Sequence, residues 1–157
     1  MTKSITSLDA QDRALLRALQ RDGRATNAEL AKIANMSESA CLRRVKALEQ
    51  AGVIERYAAI VNPGAVGLLL TVFVTISLDA QSREALAEFE QAVVLVPDVL
   101  ECHLMTGTSD YILRLSVADM EALERLHAQT LTRLPHVAHV VSSLALRPVV
   151  RRLSLPL

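Results

Sequence analysis

Tryptophan is missing from this chain of 157 residues, and only two Phe and two Tyr are present. A core built on aromatic rings is excluded, so Leu, Val, Ile and Ala must fill the interior. They are abundant enough to do so, because about half of the residues are apolar. Cysteine is nearly missing too. Cys41 and Cys102 have no CxxC or CxxH spacing. They read as small apolar residues in a reducing compartment, neither a disulfide framework nor a zinc site. No stretch approaches the roughly 20 apolar residues of a membrane span. The opening MTKSITSLDAQD carries no apolar signal core. The expectation is a soluble, cytoplasmic protein with no membrane partner.

Net charge is also missing, with 17 Lys and Arg against 17 Asp and Glu. That balance excludes little once the chain is divided. Residues 1–62 carry ten basic and seven acidic side chains, and residues 63–157 carry seven and ten. A basic module followed by an acidic one suits a nucleic-acid-binding head on a partner domain.

What is present in the first half is a set of helix signals. The spacing predicts a helix over 9–22, with Leu15, Leu16 and Leu19 as its apolar stripe and Gly23 as a left-handed stop. A second, short helix opens at Thr26, with Glu29 three positions later as a capping box. A third starts at Ser37 and stops before Gly52. Only Asn35 and Met36 separate the last two helices, and Asn tolerates the positive φ that such a turn requires. A short helix, a tight turn and a longer helix form a helix-turn-helix.

Projected at 100° per residue, the third helix gathers Cys41, Val45 and Leu48 on one side, with Leu42 at the edge. Ser39, Arg43, Lys46 and Gln50 fall together on the other side, with no carboxylate among them. That face suits a major groove: Arg43 forks onto guanine and Lys46 meets phosphate. Ser37 and Arg44 complete the candidate DNA-binding set, Arg44 as a flanking residue that reaches phosphate or pairs with a carboxylate. Val53 to Ile60 reads as a short wing or linker strand.

Pro63-Gly64 marks a boundary, and the pattern then changes from period 3.6 to period 2. Strands are expected over 68–78, 99–106, 111–117 and 137–147, with helices over 82–96 and 120–134. Val96-Pro97-Asp98-Val99 recurs as Leu134-Pro135-His136-Val137, 38 positions later, so the domain consists of two β-α-β halves. The fold class is α+β: a three-helix, winged helix-turn-helix over 1–56, a linker strand over 57–67, and a ferredoxin-like βαββαβ sandwich over 68–157. Two helices cover one face of a four-stranded sheet, and the other, partly apolar face needs a second subunit. A dimer also presents two reading heads to pseudo-palindromic double-stranded DNA.

These residues resemble the Lrp/AsnC (leucine-responsive, feast/famine) regulators over nearly the whole chain. Leu8-Asp9-x-x-Asp12, Leu30-Ala31, Ser37 and Arg44-Val45-x-x-Leu48-Glu49-x-x-Gly52-Val53-Ile54 look like the family's DNA-binding half. Val99-x-Glu101-Cys102-His103, Thr106-Gly107-x-x-Asp110-Tyr111 and Leu134-Pro135-x-Val137 look like its effector half. Asn35 departs from the Gly that many members carry in the turn. The resemblance implies a transcriptional regulator without a cofactor. It implies a homodimer that assembles further, typically to an octamer, and a free amino acid as effector bound between subunits near the Gly107–Asp110 turn. The chemistry agrees. Backbone N–H groups near Gly107 and Thr108 suit a carboxylate, and Asp110 suits an ammonium, although Asp in a turn also caps its own backbone. His103, Thr106, Met120 and Ser143 are further candidates, Met120 equally as core packing. Alternatives are a metal-responsive regulator using His103, His127, His136 and His139, which lack close ligand spacing, and a tetrapyrrole decarboxylase of the haem pathway with the same fold. No Ser-His-Asp, Cys-His or paired-carboxylate set is evident, and an enzyme is not expected. The basic, apolar tail after Arg147 has no assigned role.

Overall fold

The computed structural model describes residues 8–157, and the first seven residues of the opening segment on which the reading of no signal core rests lie outside them. The chain divides into two units. The first comprises residues 1–60 together with 150–157, and the second residues 61–149.

In the first unit, α1 (Ala10–Arg21), α2 (Asn27–Ile33) and α3 (Glu38–Gln50) enclose a core of Leu15, Ala18, Leu30, Ala31, Ala34, Cys41 and Val45. Side chains secure each start. Asp9 and Asp12 form a reciprocal capping box on α1, Thr26 and Glu29 form the expected one on α2, and the Ser37 hydroxyl caps α3. The two later helices end alike. Met36 N–H donates to Ala31 C=O and Asn35 N–H to Lys32 C=O, and Val53 N–H to Leu48 C=O and Gly52 N–H to Glu49 C=O. Each is a Schellman ending, with Asn35 (φ 50°) and Gly52 (φ 72°) in the left-handed position. Gly23 is not left-handed: α1 stops at Asp22 in an extended conformation, φ −141°. The wing strand is also corrected. No residue from Val53 to Leu69 belongs to a strand, because an extended segment with no neighbouring chain has no ladder to join. Residues Pro63–Val66 form a short 3-10 turn instead.

The second unit has β1 (Leu70–Leu78), α4 (Arg83–Val93), β2 (Val99–Leu104), β3 (Tyr111–Val117), α5 (Met120–Gln129) and β4 (Val137–Leu144). The sheet order is β2-β3-β1-β4 and every pair is antiparallel, which is the ferredoxin-like arrangement. The inner face of β1, Val72, Val74, Ile76 and Leu78, packs with Leu113, Leu115, Phe89, Val93, Leu123 and Leu126. The Phe89 and Tyr111 rings lie 4.4 Å apart, and the Tyr111 hydroxyl donates to Glu90. The sequence echo is structural. Val99 N–H donates to Val96 C=O, and Val137 N–H donates to Leu134 C=O, closing the same turn before each edge strand. They differ at the third residue. His136 has φ 62°, whereas Asp98 is not left-handed. α5 is shorter than the expected 120–134, giving way to a 3-10 turn at Leu131–Arg133.

Candidate nucleic-acid interface and effector site

α3 positions its outward side chains by being fixed at both ends and buried beneath. Cys41 and Leu48 are almost wholly buried and Val45 nearly so. Opposite them, Ser39, Leu42, Arg43, Lys46, Ala47 and Gln50 line one shallow groove. Leu42, placed at the edge of the buried side from the sequence, is 40 % exposed and joins this face. Arg43 and Lys46 have no ion-pair partner among the described residues. The nearby carboxylates point elsewhere, and Glu49 accepts a hydrogen bond from the Tyr57 hydroxyl at 3.0 Å. Burial and Glu49 together push the Tyr57 hydroxyl up to about 12. Ser39 lies 3.2 Å from the Ser37 cap hydroxyl.

Arg44 takes the second of its two expected roles. Its guanidinium lies 2.8 Å from Asp9 and 2.7 Å from Asp12. The carboxylates that cap α1 therefore also orient α3, and Arg44 leaves the groove-facing set. Hydrogen bonding from the Asp12 N–H, aided by Arg44, holds the Asp9 carboxyl below the usual carboxylate range. Lys32 was missed in the sequence. It lines a second groove with Ala28, Asn35, Ser37 and Glu38 along the α2–α3 turn. Its signal was an exposed cation one turn before the Asn.

The division of the chain sharpens the charge pattern. Residues 150–157, placed with the second domain from the sequence, belong to the first unit. With them that unit has twelve Lys and Arg against seven Asp and Glu, and the other has five against ten. The contrast grows from ±3 to ±5.

In the second unit the β2–β3 turn is fastened by Asp110. Its carboxylate accepts from the Leu78 N–H and from the Gln81 amide, each at 2.7 Å. Its backbone N–H donates to Ile76 C=O, and its C=O accepts from Met105 N–H. Gly107 has φ 127°, a conformation that strains other residues on backbone grounds alone, since a Cβ there would meet nothing within 4 Å. Among the described residues, no protein acceptor receives the N–H groups of Thr106, Gly107, Thr108 or Ser109. His103, Thr106, Gly107, Thr108 and Asp110 therefore gather at one end of the sheet. Met120 does not join them: it begins α5 at the far end of β3, about 20 Å away by strand rise. It is 59 % exposed, so it is not core packing either. Ser143 stands on the edge strand β4, opposite Phe73 and three pairs beyond the one nearest the turn. The second unit alone does not bring these two to the turn.

On the face away from the helices, the strand pairing places Glu101, Arg114, Phe73 and Ser143 in one row and His103, Ile112, Thr75 and Val141 in the next. Phe73 and Val141 are exposed. Arg114 pairs with Glu101 and holds that carboxyl low. Both thiols are free. Burial pushes Cys102 up to about 11 and also raises Cys41. No group of three metal-binding side chains occurs among the described residues, and no helix there is long and apolar enough to cross a membrane.

Residues 8–55 match the winged helix-turn-helix DNA-binding family, and residues 71–155 match the Lrp/AsnC ligand binding domain. The leucine-responsive regulatory proteins of Klebsiella pneumoniae and Escherichia coli are 42 % identical over 130 residues, covering 83 % of this chain and 79 % of theirs. A transcriptional regulator from Neisseria meningitidis, solved as its L-methionine complex, superposes with a TM-score of 0.90 at 37 % identity, covering 96 % of this chain and 97 % of its own. The feast or famine regulatory protein of M. tuberculosis, complexed with L-methionine, gives 0.81 at 38 %, covering 92 % and 96 %. Its relatives are transcription regulators, and this chain belongs to the Lrp/AsnC family of DNA-binding transcriptional regulators.

Proposed function

We propose that this regulator binds pseudo-palindromic duplex DNA as a homodimer or a larger assembly such as an octamer. In this reading a free amino acid, held against the Thr106–Asp110 turn, alters that binding. The observation that carries it is the α3 groove, where Arg43 and Lys46 stand exposed and uncompensated between Ser39 and Gln50. The exposed Phe73 and Val141 support sheet-on-sheet pairing, because a half-apolar sheet face is costly in water. The open N–H groups of the turn suit a carboxylate, and two relatives were solved with L-methionine. In a dimer, a second subunit supplies Met120 or Ser143 to the turn. No cofactor is needed for this function.

A thermal-shift screen of the twenty amino acids tests the effector, with L-methionine expected to raise Tm by mass action. No shift with any of them overturns the amino-acid reading. Titration of DNA from the chain's own upstream region, against scrambled DNA, tests the first part. Equal affinity for both would remove sequence-specific reading.

A further inference from the structure

The tail has no part in that reading, yet it is a built element. The Gln20 side-chain amide accepts from Leu155 N–H and donates to Leu155 C=O, as a neighbouring strand would. Arg17 donates to Leu157 C=O at 3.2 Å. The residues so joined are about 135 positions apart in the chain, and all lie in the first unit. Docking the tail places Arg151 and Arg152, both exposed, in the unit that carries α3.

α1 supplies a second set. Arg13, Arg17 and Arg21 recur at every fourth position, all exposed, on the side away from Leu15, Ala18 and Leu19. The acids of this helix and its caps are engaged elsewhere. Asp9 and Asp12 hold Arg44, and Asp22 accepts from the Arg24 backbone N–H. The segment 150–157 contains no Asp or Glu. Arg13, Arg21, Arg151 and Arg152 have no carboxylate partner among the described residues.

We infer that α1 and the docked tail form a second, polyanion-binding surface, which grips the phosphate backbone of DNA flanking the site read by α3. The inference rests on the DNA-binding reading above. Forked guanidiniums match phosphate oxygens. Counterion release from duplex DNA rewards a row of unpaired arginines more than scattered protein carboxylates would. The row and α3 belong to the same compact unit. Gln20 is a positioning residue: it holds the tail and touches no phosphate.

The test measures affinity against salt for the full-length protein on two duplexes carrying the same upstream site. One ends at the site and the other extends it by several helical turns. Three variants are compared: Arg13→Gln/Arg21→Gln, Arg151→Gln/Arg152→Gln, and Gln20→Ala, which keeps every arginine but frees the tail. On the long duplex each double variant should flatten the slope of log K against log salt by about 0.9 for each phosphate no longer neutralised. Gln20→Ala should match the tail double variant. On the short duplex all should resemble the parent, and preference over scrambled DNA should persist. Unchanged slopes on the long duplex, in variants whose melting temperatures match the parent, overturn the inference. So does an equal loss on both duplexes. If the parent does not prefer its site, the α3 reading fails, while the slopes still decide this one.

Discussion

The two units solve opposite problems. The first uses short-range devices: caps three residues away, endings five residues back, and a candidate reading face carried by one helix. The second uses long-range ones, since its candidate effector turn is held by bonds from Asp110 to Leu78 and Gln81, about 30 positions earlier. Their buried clusters share no residue. The lesson is that a surface borne on one helix can be assembled independently of the rest, whereas a turn between strands inherits the sheet's integrity.

The strongest challenge to this contrast is Phe89→Ala, which empties the second core and should cost about 3–5 kcal/mol. Hydrogen exchange should show lost protection in β1 and β3 with α1–α3 unchanged, and loss in both units would erase the distinction. Next is Asp110→Asn, which keeps an acceptor for Leu78 N–H but removes the charge. If the carboxylate meets an ammonium, effector affinity should fall by about 1.5–3 kcal/mol in titration calorimetry. Unchanged affinity would leave Asp110 as a fastening for the turn alone. Asp110→Ala would blur the two roles by freeing the turn. Arg43→Ala should weaken specific DNA binding by about 1–3 kcal/mol. An equal loss on random DNA would make it a phosphate contact.

Smaller still, Asn35→Ala places a Cβ-bearing residue without a local side-chain hydrogen bond in the left-handed position. It should cost about 1–2 kcal/mol in denaturant titration, while Asn35→Gly should cost nothing. The smallest effect concerns pH. The Glu88 carboxylate at 2.9 Å, with Asp79 at 3.3 Å, raises the His136 imidazole above its ordinary value. The stabilisation from this group is therefore complete below the ordinary imidazole range. It fades as pH rises through the raised value. His136→Gln should remove that slope from the melting temperature of the second unit, and the slope should weaken in high salt because the ion pairs are exposed.

The same contrast explains what the sequence made legible. Thr26, Glu29, Ser37, Asn35 and Gly52 act on neighbours within a helical turn or so, and the structure has each where the pattern placed it. The strand and helix order followed from period alone. Gly23 misled, because glycine permits a left-handed ending without demanding one. Residues 53–69 misled because an extended pattern says nothing of a neighbouring strand. The alternatives for Arg44 could not be separated without knowing that the start of α1 lies against α3. The Gln81 partner of Asp110 and the Gln20 partner of Leu155 had no local signal. For Met120, the strand expected over 111–117 already separated it from the turn, and only a second subunit could bring the two together.

The placement of β1 bears on how the molecule is made. It is the first strand synthesised, yet it lies in the middle of the sheet, with β3 and β4 on its two edges. Leu70 meets Val117 and Val72 meets Leu144, so its partners emerge 47 and 72 residues later. Until then a run of alternating and partly continuous apolar residues waits with both edges unpaired, the condition in which strands join the wrong neighbour. Nascent chains should therefore depend on chaperone protection from the emergence of β1 to that of β3, whereas the three-helix core of the head, apart from its late-arriving tail, is built from nearer contacts and can close early in translation.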